Sequence, residues 1–151
     1  MNVGQICQRN VVTVSASEDL STAARLMREK HIGYLIVVEP ALQAGGLTPI
    51  GVLTDRDIVV EVVAQDADPR SLRVGDVMTP KPLVVLLEDS LPDALAQMQR
   101  IGVRRLPVVG AYGLLAGVLS LDDILKRMAD DLHTATGAII RERTIESALR
   151  P

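Results

Sequence analysis

Two stretches place hydroxyl and carboxylate side chains at one shared spacing: Thr54-Asp55-Arg56-Asp57 and Ser120-Leu121-Asp122-Asp123. Each follows a Gly and two β-formers, Gly51-Val52-Leu53 or Gly117-Val118-Leu119. A hydroxyl there accepts from the backbone of a helix's first turn, and a carboxylate three positions on complements the positive helix end. Each stretch therefore reads as a strand end feeding a helix start. The open N–H groups of such a junction attract anions, so it is also a candidate phosphate seat. Capping by itself accounts for the same residues, since it stabilises a helix by about 1 kcal/mol. The sequence leaves both roles open.

Little else in the chain has catalytic spacing. It holds no Ser-His-Asp set, metal-ligand cluster, Walker-type glycine loop or nicotinamide fingerprint, and the expectation is a protein that is not an enzyme and needs no cofactor. Asp55 with Asp57, or Asp122 with Asp123, are poor acid–base partners, because residues one or two apart on a helix do not face each other. Cys7 is the lone cysteine; it cannot form an internal disulfide and fits a reducing cytoplasm.

The elements that must position these stretches come twice. Residues 3–38 laid on 74–109, an offset of 71, match at nine positions, among them Val3/Val74, Gly4/Gly75, Leu20/Leu91, Met27/Met98 and Leu35/Leu106. Past Val38 the offset becomes 66, so the first unit carries five extra residues, assigned to a surface loop within Glu39 to Pro49. Val11 to Val14 and Leu83 to Leu86 are β-branched-rich runs of strand length. Leu20, Ala23, Ala24 and Met27, like Leu91, Ala94, Leu95 and Met98, fall at i, i+3, i+4 and i+7 and predict one apolar helical stripe per unit. Asp19 and Ser90 are the expected N-caps, and Gly33 and Gly102 the C-terminal signals.

Strands at Tyr34–Val38 and Leu106–Val109 follow, paired with Ile50–Leu53 and Leu115–Leu119. The second helices should bury Ile58, Val59, Val62 and Val63, or Ile124, Leu125 and Met128. Each unit thus reads β-α-β-β-α, an α+β plan whose sheet has one face left uncovered. The two units are expected to pack through their sheets with pseudo-twofold symmetry. Boundaries fall at 1–65 and 74–132, with 66–73 as linker and 133–151 as a tail able to form a short helix.

Composition excludes several classes. A formal net charge of -3 without a long basic run argues against nucleic acid. With Phe and Trp absent and only two Tyr, base-stacking platforms are excluded. No apolar run approaches the roughly 20 residues of a membrane helix, and the first ten residues lack the features of a signal peptide. A cytoplasmic protein is expected.

The duplicated plan, the stretch Gly51-Val-Leu-Thr-Asp-Arg-Asp-Ile58 and Val103-Arg-Arg-Leu-Pro-Val-Val109 resemble a tandem pair of CBS domains, a Bateman module, over residues 3 to about 132. The resemblance implies a regulatory sensor for an adenosine-containing ligand, AMP, ADP, ATP or S-adenosylmethionine, held in clefts between the two units. It further implies a homodimer of four CBS units read by a regulated partner protein. Carried over by position, Thr54 and Ser120 match the hydroxyl on ligand phosphate, and Asp57 and Asp123 the carboxylate on the ribose diol. Arg104 and Arg105 match a basic pair that reaches phosphate, and Val12, Thr13, Val84 and Val85 the walls around adenine. Arg56 is a phosphate ligand or a surface charge, and Tyr34 closes over a cleft or fills the core. The units are unequal, Gly33-Tyr34 standing where the second has Arg104-Arg105. The pairing expected first joins Thr54 and Asp57 with Arg104 and Arg105. A ligand-free dimerisation and interaction module is the alternative.

Overall fold

The computed structural model describes residues 1–43 and 45–150; Ala44 of the expected loop and Pro151 of the tail lie outside them. In the first repeat, β1 (Thr13–Ser15) leads to α1 (Leu20–Lys30), then β2 (Tyr34–Pro40), β3 (Leu47–Thr54) and α2 (Asp55–Ile58), which continues as a π-helical turn over Val59–Val63. A short helix α3 (Val74–Val77) and strand β4 (Thr79–Pro80) open the second half. They are followed by β5 (Val85–Leu86), α4 (Leu91–Ile101), β6 (Arg105–Val109), β7 (Leu115–Ser120) and α5 (Leu121–Leu149). The expected β-α-β-β-α order is present twice. The first strands are shorter than their apolar runs, with Val11, Val12, Leu83 and Val84 outside them.

The helix limits follow local chemistry. The Asp19 carboxylate accepts from Thr22 N at 2.7 Å, which holds it below the usual carboxylate range, and Ser90 Oγ accepts from Asp93 N at 3.2 Å. Gly102 ends α4 with φ 70°, a left-handed turn that glycine enters without a Cβ penalty. In α1 the equivalent cap is His31, at φ 55°, not Gly33. Gly33 instead faces Asp55, whose carboxylate occupies the space a Cβ would take.

The repeats interlock. Val3 N donates to Asp89 O at 2.9 Å and Gly4 N to Leu87 O at 2.8 Å. Seventy-one residues on, Val74 N donates to Glu18 O at 2.8 Å and Gly75 N to Ala16 O at 2.9 Å. Bridges Asn2 with Ser90 and Asp19 with Arg73 repeat the relation. Each repeat thus lends its leading segment to the other. Val3 and Cys7 join the second core with Val85, Met98, Leu106 and Leu119, while Val74 joins the first with Leu20, Leu35, Leu53 and Val62. Burial raises the Cys7 thiol's pKa. By the same exchange Thr79 and Pro80 add a fourth strand beside β3, whereas Gln8 makes a single bridge to Val118.

The sheets have orders β1-β2-β3-β4 and β5-β6-β7. In β2, Leu35, Ile36 and Val37 are all fully buried, so both faces are covered, as in a strand between two layers. Leu35 and Val37 pack in the first core. Ile36 belongs to neither core cluster and faces the other side, as does its equivalent Pro107, also buried. The two sheets meet where β3 lies against β7.

Gly117 sits where the exchanged leader crosses β7. A Cβ there would lie 2.7 Å from the Gln8 carbonyl oxygen and 3.0 Å from Cys7 Sγ. Its equivalent Gly51 mainly faces the thioether of Met78. Gly117→Ala should cost about 1–3 kcal/mol, because backbone must move, and Gly51→Ala less, because methionine repacks. Urea midpoints of the two variants check this order, and equal midpoints would contradict it.

The second helices differ from expectation. Only Val62 and Ile124 are buried, while Val59, Val63, Leu125 and Met128 are each more than half exposed; Ile58 is half-buried. One stripe meets the sheet and the remainder points outward. Nor does the tail form a separate short helix: α5 runs unbroken for 29 residues through Gly137, and every residue described from Leu125 onward is exposed. A helix already nucleated at Ser120 needs no new nucleus to extend, and one interior glycine costs only about 1 kcal/mol.

Candidate ligand cleft between the repeats

Both hydroxyl residues cap their helices. Thr54 Oγ1 accepts from Asp57 N at 3.1 Å while Asp57 Oδ2 accepts from Thr54 N at 2.8 Å, a reciprocal capping box. Ser120 Oγ accepts from Asp123 N at 3.1 Å and donates to Asp123 Oδ2. The other Asp123 oxygen accepts from Gln8 Nε2 at 3.0 Å. That bond crosses between the repeats, because Gln8 arrives on the exchanged leader.

A cleft of about 330 Å³ opens at this junction, within the range of small-molecule sites. From the second repeat it takes Arg105, Val118, Ser120, Asp122 and Asp123. From the first it takes Gln8, Asn10, Val11 and Val12, then His31 to Tyr34. The structure therefore joins Ser120, Asp123, Arg105, Tyr34 and Val12 of the expected site residues. Thr54, Asp57, Arg56 and Arg104 do not line this cleft. This cleft holds the symmetry counterpart of the pairing expected first, the hydroxyl and carboxylate coming from the second repeat.

The remaining expected residues are placed elsewhere. Thr13 lines a separate groove with Arg9, Leu47 and Leu115. Val85 is fully buried in the second core and is no ligand wall; its strand turns that side chain toward the helices. Val84 is half-buried outside the cleft. Arg56 is exposed. Arg104 is also exposed, its Nη2 3.2 Å from Asp122 Oδ1, an interaction of little net worth at the surface.

Tyr34 and Arg105 meet across the seam, with Arg105 Cζ 5.7 Å from the Tyr34 ring centroid, within cation–π range. The Tyr34 hydroxyl is buried and has no hydrogen-bond partner among the described residues. Burial pushes its pKa up, with Arg105 opposing. Gln8, Asn10 and Asp122 were not among the expected site residues. Asp122 was legible as the position equivalent to Arg56; Gln8 was not, being 115 residues from Asp123 in sequence. Among the described residues there is no cluster of metal-ligating side chains and no helix long and apolar enough to cross a membrane.

A family model for the CBS domain matches residues 3–64 and 74–130. The chain belongs to the CBS-domain family. The two CBS repeats cover the described core, and the residues beyond 130 fall on the exposed part of α5. An uncharacterized protein of Methanopyrus kandleri is 35% identical over 127 residues, 83% of this chain and 62% of that protein; the chain therefore spans less than two thirds of this relative. The structure of a putative signal-transduction protein with CBS domains from Burkholderia ambifaria is similar with a TM-score of 0.76 at 31% identity, over 87% of this chain and 96% of that one. The crystal structure of CBSX2 in complex with AMP is similar with a TM-score of 0.71 at 29% identity, over 85% and 96% of the two chains.

Proposed function

We propose that this tandem CBS pair is a regulatory module, not an enzyme, which binds an adenosine-containing ligand between its repeats and passes occupancy through a homodimer to a regulated protein. AMP, ADP and ATP are the first candidates and S-adenosylmethionine the next. The observation that carries the proposal is the cleft that sets Ser120 and Asp123, at a helix N-terminus, against Val12 and Tyr34 of the other repeat. A carboxylate accepts from both hydroxyls of a ribose at once, and Gln8 Nε2 now holds one of those acceptor sites. The helix end and Arg105 favour phosphate. AMP bound to the similar CBSX2 chain supports this ligand class. The outward apolar residues Val59, Val60 and Val63, with Leu125 and Met128, supply a surface for a second copy. The lone Cys7 fits residence in the cytoplasm.

A second reading, a ligand-free dimerisation and interaction module, is favoured by the reciprocal Thr54–Asp57 capping box, which satisfies both residues without a ligand. Calorimetric titration of the full chain with AMP, ADP, ATP and S-adenosylmethionine separates the two. Binding of one ligand, weakened about ten- to a hundred-fold by Asp123→Ala, is the expected result for loss of a hydrogen bond to a charged group. Silence from all four, with a dimer still present in sedimentation, would establish the second reading.

A further inference from the structure

Among the residues lining the cleft, Arg105 is the one guanidinium or ammonium, and two carboxylates, Asp122 and Asp123, stand with it. Both carboxylates lie in the first turn of α5. Asp123 is engaged by the fold, accepting from Ser120 Oγ and from Gln8 Nε2. Asp122 is held only by Arg104, in a pair whose side chains are 62% and 71% exposed and which contributes little. Nor does the helix start require an acid at this position. In the first repeat the same Thr-x-x-Asp cap opens α2 with Arg56 at the equivalent place. An acid does favour the helix dipole, but Asp123 already supplies one in the same turn.

We propose that Asp122 limits the phosphate count of the ligand, so that this cleft takes a nucleoside monophosphate in preference to a triphosphate. The proposal rests on the adenosyl-ligand reading above and narrows it. A single phosphate carries about 1.5 to 2 negative charges at pH 7, and the helix N-terminus together with Arg105 offsets them. Each further phosphate adds negative charge and meets no further cation lining the cleft, only the carboxylate of Asp122. Arg104 offsets that carboxylate in part but does not itself line the cleft. Two unit charges at contact distance in a water-like medium change an affinity by about fivefold. For a side chain as exposed as Asp122, that is the scale of the effect.

The test is calorimetric titration of the full chain with AMP and with ATP, in EDTA so that no divalent cation masks the phosphates. Wild type should bind AMP about three- to tenfold more tightly than ATP. Asp122→Asn should shrink that ratio toward unity, and Asp122→Arg, the residue type at the equivalent position of the first repeat, should reverse it. Taking the ratio of the two ligands within each variant cancels any general change in the cleft or the fold. Because the preference is one of charge, it should also shrink in wild type between about 0.05 and 0.5 M salt, which a steric limit would not do. ATP bound by wild type as tightly as AMP, or a ratio that neither variant moves, would overturn the phosphate limit while leaving the adenosyl reading intact. Binding of neither nucleotide overturns the limit too, and the adenosyl reading falls with it only if ADP and S-adenosylmethionine are also silent.

Discussion

Val3→Asp is expected to open the second CBS repeat, although Val3 belongs to the first. Its side chain is fully buried among Val85, Ala94, Met98 and Leu106, so a carboxylate there is packed against apolar side chains. Burying an unpaired charge costs on the order of 3 kcal/mol or more. In native-state hydrogen exchange, amides of α4 and β6 should lose protection while those of α1 and β2 keep theirs. Val74→Asp should give the converse pattern, since Val74 is fully buried in the first core. Protection lost in the first repeat from Val3→Asp would refute the exchange of leaders.

Leu35→Ala is the second large effect. Leu35 is fully buried on β2, packed in the first core with Leu20, Ala23 and Met27 of α1, and large-to-small changes at such sites cost about 2–5 kcal/mol through lost burial and a residual cavity. Against a usual total of about 5–15 kcal/mol this is a substantial fraction. Leu106→Ala, at the equivalent place in the second core, should cost a similar amount. Val63→Ala, at a side chain 65% exposed, should stay within about 0.5 kcal/mol. Urea unfolding at fixed protein concentration measures all three, and a Val63 effect as large as that of Leu35 would show this side chain packed, against the sheet if the effect is independent of protein concentration and against a second copy if it is not.

Much of this architecture is legible in the chain. The offset of 71 locates both repeats, and the spacing of Leu20, Ala23 and Met27 marks the face that α1 buries. Asp19, Thr54, Ser90 and Ser120 cap the helices they were expected to cap. These features depend on residues within one or two turns of each other, where backbone hydrogen bonding and side-chain periodicity act directly. The outward turn of Val59 and Val63 was not legible, because an apolar run on a helix does not state which of its faces meets the sheet. The continuity of α5 through Gly137 was equally hidden, since the glycine signal is local and the helix that passes through it starts a full sixteen residues earlier, at Leu121.

The sequence by itself determined the duplicated β-α-β-β-α plan, the capped strand-to-helix junctions and the inequality of Tyr34 and Arg105, all of them properties of residue type and spacing. Only the tertiary structure decided which junction faces which repeat. Val3 and Val74 each close the other repeat's core, Gln8 reaches Asp123, and Arg105 lies over Tyr34. The reason is physical: a half-covered sheet must bury its apolar face, and the sequence does not encode whether the covering segment comes from its own repeat or from its twin.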